Sequence, residues 1–305
     1  MVILGIESSC DETGLALYDS KYGVIGQVLN SQTAIHKKFG GVVPELASRD
    51  HVAKIIPLLN ELLQKNKLKL KDIKLIAFTN GPGLIGPLLI GATFAKTLAW
   101  VLGIKCIAID HLEAHIFSAM MTEKKLKEPF VSLLVSGGHT FLSLILENNK
   151  YKIIGKTLDD SVGEVFDKVA RELGLDYPGG PEIEKYALKT NKSNFKFPRP
   201  MIKTKDYNFS FSGIKTHVIN LIKNLDLNDK IISEISFEFL NSIIDVLIFK
   251  TLQASNEYKI NNIVVSGGVS ANKILRNRFI NEKQKNVSIY FPSLEYSTDN
   301  PPPFE

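Results

Sequence analysis

An apolar run ending in Ser-Gly-Gly occurs twice in this chain, as Leu134-Val135-Ser136-Gly137-Gly138 and as Val264-Val265-Ser266-Gly267-Gly268. Each run reads as a buried strand. Its glycines let backbone N–H groups approach an anion with no Cβ in the way. The pattern around the two runs is doubled as well. Strands over 2–6, 14–18 and 24–29, a helix entered at Pro44 and running to Gln64, a strand over 73–79, a helix over 84–102 and a strand over 104–109 spell β-β-β-α-β-α-β. The pattern restarts with strands over 130–135, 141–146 and 151–154 and helices over 162–173 and 182–188. An irregular stretch over 191–212 and a long helix over 230–257 follow, then strand, helix and strand over 263–265, 272–281 and 288–291. The expectation is an α/β protein of two lobes, 1–109 and 110–305, each built on a mixed sheet, with a ligand cleft between them.

Composition narrows the class. Cysteine is confined to Cys10 and Cys106, far apart, which suits a reducing compartment better than a disulfide framework. The start, Met1-Val2-Ile3-Leu4-Gly5-Ile6-Glu7, has no basic segment and meets an acid too soon for a secretion signal. The longest apolar run, 84–103, contains Pro87 and Lys96 and reads as a buried core helix, not a membrane span. A cytoplasmic protein with no membrane attachment is expected. The net charge of +5 tolerates an anionic partner without demanding one.

His111-Leu112-Glu113-Ala114-His115 directly follows the strand that ends near Asp110. Side chains four apart on a helix share a face, so both imidazoles can reach one metal ion. Asp299, in Ser297-Thr298-Asp299-Asn300, offers a third donor and leaves positions open for substrate. This set does not choose between iron and zinc. A zincin-type peptidase is excluded, because Glu113 stands two residues after the first His and is turned about 200° from it.

Two further loops follow strands: Glu7-Ser8-Ser9-Cys10-Asp11-Glu12-Thr13 and Asn80-Gly81-Pro82-Gly83-Leu84-Ile85-Gly86. The second satisfies GxGxxG, opens a helix and precedes a strand ending in Asp110, the outline of a dinucleotide-binding oxidoreductase. The antiparallel start and the adjacency of Asp110 to His111 argue against that reading. The full GxxxxGK[ST] pattern is absent, so a Walker-type loop is excluded.

Seven motifs then stand in one order. They are Gly5-Ile6-Glu7-Ser8-Ser9-Cys10-Asp11-Glu12-Thr13, Gly40-Gly41-Val42-Val43-Pro44-Glu45-Leu46-Ala47-Ser48-Arg49, Gly81-Pro82-Gly83-Leu84, His111-Leu112-Glu113-Ala114-His115, Leu134-Val135-Ser136-Gly137-Gly138-His139-Thr140, Phe209-Ser210-Phe211-Ser212-Gly213-Ile214-Lys215-Thr216 and Ser266-Gly267-Gly268-Val269-Ser270-Ala271-Asn272. Together they closely resemble the TsaD family, the tRNA N6-adenosine threonylcarbamoyltransferases once labelled glycoproteases. The resemblance implies a duplicated, actin-like fold of the ATPase superfamily (ASKHA). It implies transfer of the threonylcarbamoyl group from threonylcarbamoyl-AMP to N6 of the adenosine just 3′ of the anticodon in tRNAs reading ANN codons, with release of AMP. It also implies TsaB and TsaE as partners, TsaC as the source of the adenylate, and one divalent metal, Fe(II) ahead of Zn or Mg.

Carried onto this chain, the resemblance makes His111, His115 and Asp299 the metal ligands. Leu134, Val135, Ser136, Gly137, Gly138, Asp167, Gly180, Glu184 and Asn272 would contact the adenylate. Asp167 and Glu184 either bind ribose hydroxyls or are solvated helix acids. Asp11 is the candidate to orient the amine or accept its proton, or else a helix N-cap. A non-catalytic partner of the TsaB type would lack the histidine pair that this chain keeps.

Lys192, Lys196, Arg199, Lys203, Lys205 and Lys215 interleave with Phe195, Phe197, Tyr207, Phe209 and Phe211. Either these residues meet RNA by phosphate contact and stacking, or the aromatics are core and the cations a solvated rim. After Asn300 the family continues into a further helix, where this chain has Pro301-Pro302-Pro303-Phe304-Glu305. Prolines cannot extend a helix. A weakened first lobe, and an inactive truncated member as the alternative function, are the expectations that follow.

Overall fold

The computed structural model describes residues 1–122, 126–147 and 150–292. The chain divides into a first unit from Met1 to Ala114 and a second that begins at His115.

The first unit contains β1 (Val2–Glu7), β2 (Glu12–Asp19), β3 (Gly23–Ser31), the short α1 (Thr33–His36), α2 (Pro44–Lys65), β4 (Ile73–Gly81), α3 (Ile85–Leu102) and β5 (Lys105–Asp110). The opening of α4 (His111–Thr122) completes it. Its sheet runs β3-β2-β1-β4-β5, with β1 antiparallel to β2 and parallel to β4. Alternation decides which face is core: Leu4 and Ile6 of β1 and Leu15 and Leu17 of β2 are buried. Pro44 opens α2 within its first turn, as its fixed φ favours. Ile55, Leu58, Leu59, Leu62 and Leu63 then recur at helical spacing and join that core.

The expectation of a buried α3 is corrected. Its buried residues are Pro87, Gly91, Ala95 and Ala99, while Ile85, Leu89, Trp100 and Val101 are exposed, Trp100 by 82%. The small residues face inward because the chain approaches closely there. A Cβ on Gly91 would lie 2.1 Å from Ser8 Oγ.

The second unit contains β6 (Phe130–Val135), β7 (Thr140–Leu146), β8 (Lys150–Lys156), α5 (Val162–Glu172), α6 (Gly179–Ala187), α7 (Ser212–Ile222), α8 (Asp229–Tyr258), β9 (Asn262–Ser266), α9 (Lys273–Glu282) and β10 (Ser288–Tyr290). Its sheet runs β10-β9-β6-β7-β8, with β6 antiparallel to β7 and parallel to β9. With β6 in the place of β1, this is the order of the first sheet. The doubled pattern in the sequence is thus a doubled topology. Every residue of β6 is buried, as suits a strand covered on both faces. α8 drives Phe239, Leu240, Ile243, Ile244 and Leu247 into the same core.

α7 was not expected from the sequence. It begins at Ser212 because the Asp159 carboxylate accepts hydrogen bonds from the backbone N–H groups of Phe211 and Ser212, at 2.8 and 3.3 Å. That acceptor lies far upstream and takes the place of a local cap.

Candidate active site

In the first unit the site starts where β1 and β5 end. Asp110, the last residue of β5, accepts the N–H groups of Leu112 and Glu113 at 2.9 and 3.0 Å. It caps α4, so the helix begins at His111 and carries His111 and His115 one turn apart. The acid that a dinucleotide site would need for ribose is thereby used as a cap.

β1 delivers Glu7 to the same place. Glu7 Oε2 lies 3.2 Å from His111 Nδ1, and Ser9 Oγ lies 3.3 Å from the same nitrogen. Glu7 Oε1 accepts the Ser9 N–H at 2.6 Å, and Thr79 Oγ1 donates to Oε2. Burial pushes this carboxyl up, but His111, Ser9 and Thr79 together bring it down to about 2. An ionised carboxylate only accepts, so the proton between Glu7 and His111 is carried on Nδ1 of the imidazole. A carboxylate behind a metal-binding imidazole is the usual orienting arrangement, and the donor chemistry of α4 fits a divalent cation. Sequence reasoning missed Glu7 in this role. Its cue was an acid closing an otherwise apolar strand.

Asp11 lies in the loop from β1 to β2, where its carbonyl accepts the Gln32 N–H at 3.1 Å. No helix starts there, so the N-cap alternative is removed. Asp299 and residues 301–305 lie outside the described residues.

In the second unit the expected residues gather around the C-terminal ends of the parallel strands β6 and β9, where open α/β sheets bind ligands. Leu134 and Val135 are buried strand residues, so only their main chain can face a ligand. Beyond them the Ser136-Gly137-Gly138 turn closes on itself through Ser136 N–H to the His139 carbonyl at 2.8 Å. The turn rests on the start of α5, where Gly163 N–H donates to the Ser136 carbonyl at 3.1 Å. Asp167 Oδ1 accepts the Gly179 N–H at 2.7 Å and so ties α5 to the start of α6, beside Gly180. Glu184 Oε1 accepts the N–H groups of Lys273 and Ile274, at 2.5 and 3.2 Å, tying α6 to α9. Asn272 caps α9 through the Leu275 N–H at 2.9 Å. Both carboxylates are therefore engaged at helix starts, not simply solvated.

Space separates the two kinds of glycine loop. A Cβ on Gly83 would lie 2.4 Å from the Ser9 carbonyl oxygen, so that glycine permits close packing of the chain on itself. Cβ atoms on Gly137 and Gly138 would meet nothing within 4 Å. The GxGxxG loop is filled by protein, whereas the Ser136-Gly137-Gly138 loop faces open space.

The stacking reading of the 190–212 segment is corrected. Phe197, Tyr207, Phe209 and Phe211 are buried in the core of the second unit. Arg199 is held between Glu238 and Asp245, and Lys215 pairs with Asp160.

The signature of the TsaD family, described as tRNA N6-adenosine threonylcarbamoyltransferase, matches residues 23–301. A relative of that name from Thermosipho melanesiensis is 47% identical over 98% of this chain and 91% of its own length. One from Ralstonia pickettii is 46% identical over 98% and 88%. Among solved structures, HypF from T. kodakarensis superposes with a TM-score of 0.64 at 13% identity, over 98% of this chain and 46% of its own. Component A of the Acidaminococcus fermentans (R)-2-hydroxyglutaryl-CoA dehydratase gives 0.57 at 14% identity, over 96% and 92%. These likenesses show the fold alone, a duplicated actin-like α/β fold. By signature, relatives and motif order, the chain belongs to the TsaD family of tRNA N6-adenosine threonylcarbamoyltransferases and is a transferase.

Proposed function

We propose that this protein moves the threonylcarbamoyl group from threonylcarbamoyl-AMP to N6 of the adenosine 3′ of the anticodon in tRNAs reading ANN codons, releasing AMP. The observation that carries the reading is the open Ser136-Gly137-Gly138 turn at the ends of β6 and β9, with Asp167 holding the start of α6 and Glu184 and Asn272 the start of α9.

The donor is a mixed anhydride and already activated, so no protein nucleophile is required. The N6 amine attacks the carbamoyl carbon, the new N–C bond forms, and the bond from that carbon to the phosphate oxygen breaks. In this reading the amine's proton passes to Asp11. The amides of Gly137 and Gly138 hold the phosphate as it leaves with its negative charge. Asp167 and Glu184 take ribose hydroxyls, and Gly180 and Asn272 place the adenine. His111 and His115, with Asp299, would hold a divalent metal, Fe(II) ahead of Zn or Mg, which supplies positive charge for the carbonyl oxygen when bound.

The protein acts in the cytoplasm on tRNA, with TsaB and TsaE as partners and TsaC making the adenylate. Exposed Ile85, Leu89, Trp100 and Val101 of α3, beside exposed Val52 and Ile56 of α2, support a protein partner, since apolar patches of this kind mark interfaces. Incubation with tRNA, threonine, bicarbonate, ATP and the three partner proteins, followed by nucleoside analysis, tests the reading. Threonylcarbamoyladenosine is expected. Unmodified tRNA, with partners shown active on a sister enzyme, would instead mark an inactive member.

A further inference from the structure

The Ser136-Gly137-Gly138 turn is aimed from beneath. Ser161 Oγ donates to the Gly137 carbonyl oxygen, and Gly163 N–H donates to the Ser136 carbonyl oxygen at 3.1 Å. Two consecutive peptide planes are therefore pinned with their carbonyls toward the start of α5. In a trans peptide the N–H points opposite to the C=O. The N–H groups of Gly137 and Gly138 consequently both point away from α5, and among the described residues neither has a protein acceptor. Successive amides turned to one side form an anion-binding concavity.

The contact is too close for any other residue at Gly163. A Cβ there would lie 2.6 Å from Gly137 Cα, 2.8 Å from the Ser136 oxygen and 2.9 Å from Gly137 N. Ser161 is held in turn, since Val162 N–H donates to Thr140 Oγ1 at 3.0 Å. From the other side Gly267, at φ +86°, brings its Cα against the Val135 carbonyl, where a Cβ would lie 2.5 Å from the oxygen.

We infer that Ser161 and Gly163 are positioning residues that aim the Gly137 and Gly138 amides at the phosphate that leaves as AMP; this rests on the reading that the turn holds that phosphate. Neither touches the substrate. Their effect is confined to the phosphate part of recognition, which comparison of AMP with adenosine isolates.

The test is calorimetric binding of AMP and of adenosine to the full chain, in wild type, Ser161→Ala and Gly163→Ala, with thermal unfolding alongside. In Gly163→Ala the preference for AMP over adenosine should fall about tenfold, the equivalent of one charge-assisted hydrogen bond. In Ser161→Ala it should fall about threefold, with the unfolding temperature lowered only as far as losing the N-cap of α5 requires, since Ser161 Oγ also accepts the Glu164 N–H. Adenosine affinity should stay within about twofold in both, whereas a merely structural role would lower both ligands alike. If both variants keep the wild-type preference, the positioning role is wrong although the phosphate reading stands. If wild type itself binds adenosine as well as AMP, the phosphate reading fails and this inference falls with it. Should Gly163→Ala not fold, Ser161→Ala decides alone.

Discussion

Glu7 owes its charge to its neighbours: burial opposes ionisation, and His111, Ser9 and Thr79 more than offset it. Glu7→Gln keeps the size but puts an amide N–H₂ against a donor that the carboxylate accepted. Affinity for the divalent metal proposed above, read by competition with a chelator, should fall about 10–100-fold, the usual loss for a group behind a ligating imidazole. Unchanged affinity would mean that Glu7 does not orient His111. Asp159 is a second case. Burial pushes it up, but Ser210, Ser212 and the Phe211 N–H hold it below the ordinary carboxylate value. A depressed folded-state value contributes stability above the unfolded value of about 4, and that contribution is lost as pH falls through the folded one. Asp159→Ala should therefore be less stable than wild type by about 1–2 kcal/mol at pH 7, as for a lost helix cap, with the gap narrowing as pH falls below the unfolded value of about 4. Urea denaturation across that range checks it, and a pH-independent gap would rule out the carboxylate charge as the cause.

At the scale of elements, α3 inverts the usual amphipathic helix. Its inward face is small, with Gly91, Ala95 and Ala99, and its large apolar residues point out. Leu89→Lys and Trp100→Glu should then change stability by no more than about 0.5 kcal/mol, as exposed substitutions do. The same changes should weaken association with the partner proposed above by at least about tenfold, because they place a charge in a patch that association would desolvate. Denaturation and analytical sedimentation separate the two effects. Loss of the folded state would show that this face packs within the protein.

For the whole molecule the consequence of duplication is two cores. Leu4 is fully buried in the first and Phe239 in the second. Leu4→Ala and Phe239→Ala should cost about 2–5 kcal/mol each and add to within about 0.5 kcal/mol. Hydrogen exchange should show each loss of protection confined to its own unit. Strong coupling between the two would mean a shared core. What the sequence by itself determined was whatever repeats within a short window. Strand and helix periods, the doubled order of elements, the His111/His115 spacing and the Ser-Gly-Gly turns are of this kind, because each depends on neighbours along the chain. The tertiary structure decided the rest. Glu7 meets His111 and Asp159 starts α7 across 104 and 52 residues of chain. Ser9 fills the space at Gly83 while Gly137 is left open, and the aromatics of the 190–212 segment go inward. Those outcomes depend on which distant atoms arrive at a given point, and no local pattern of residues encodes that.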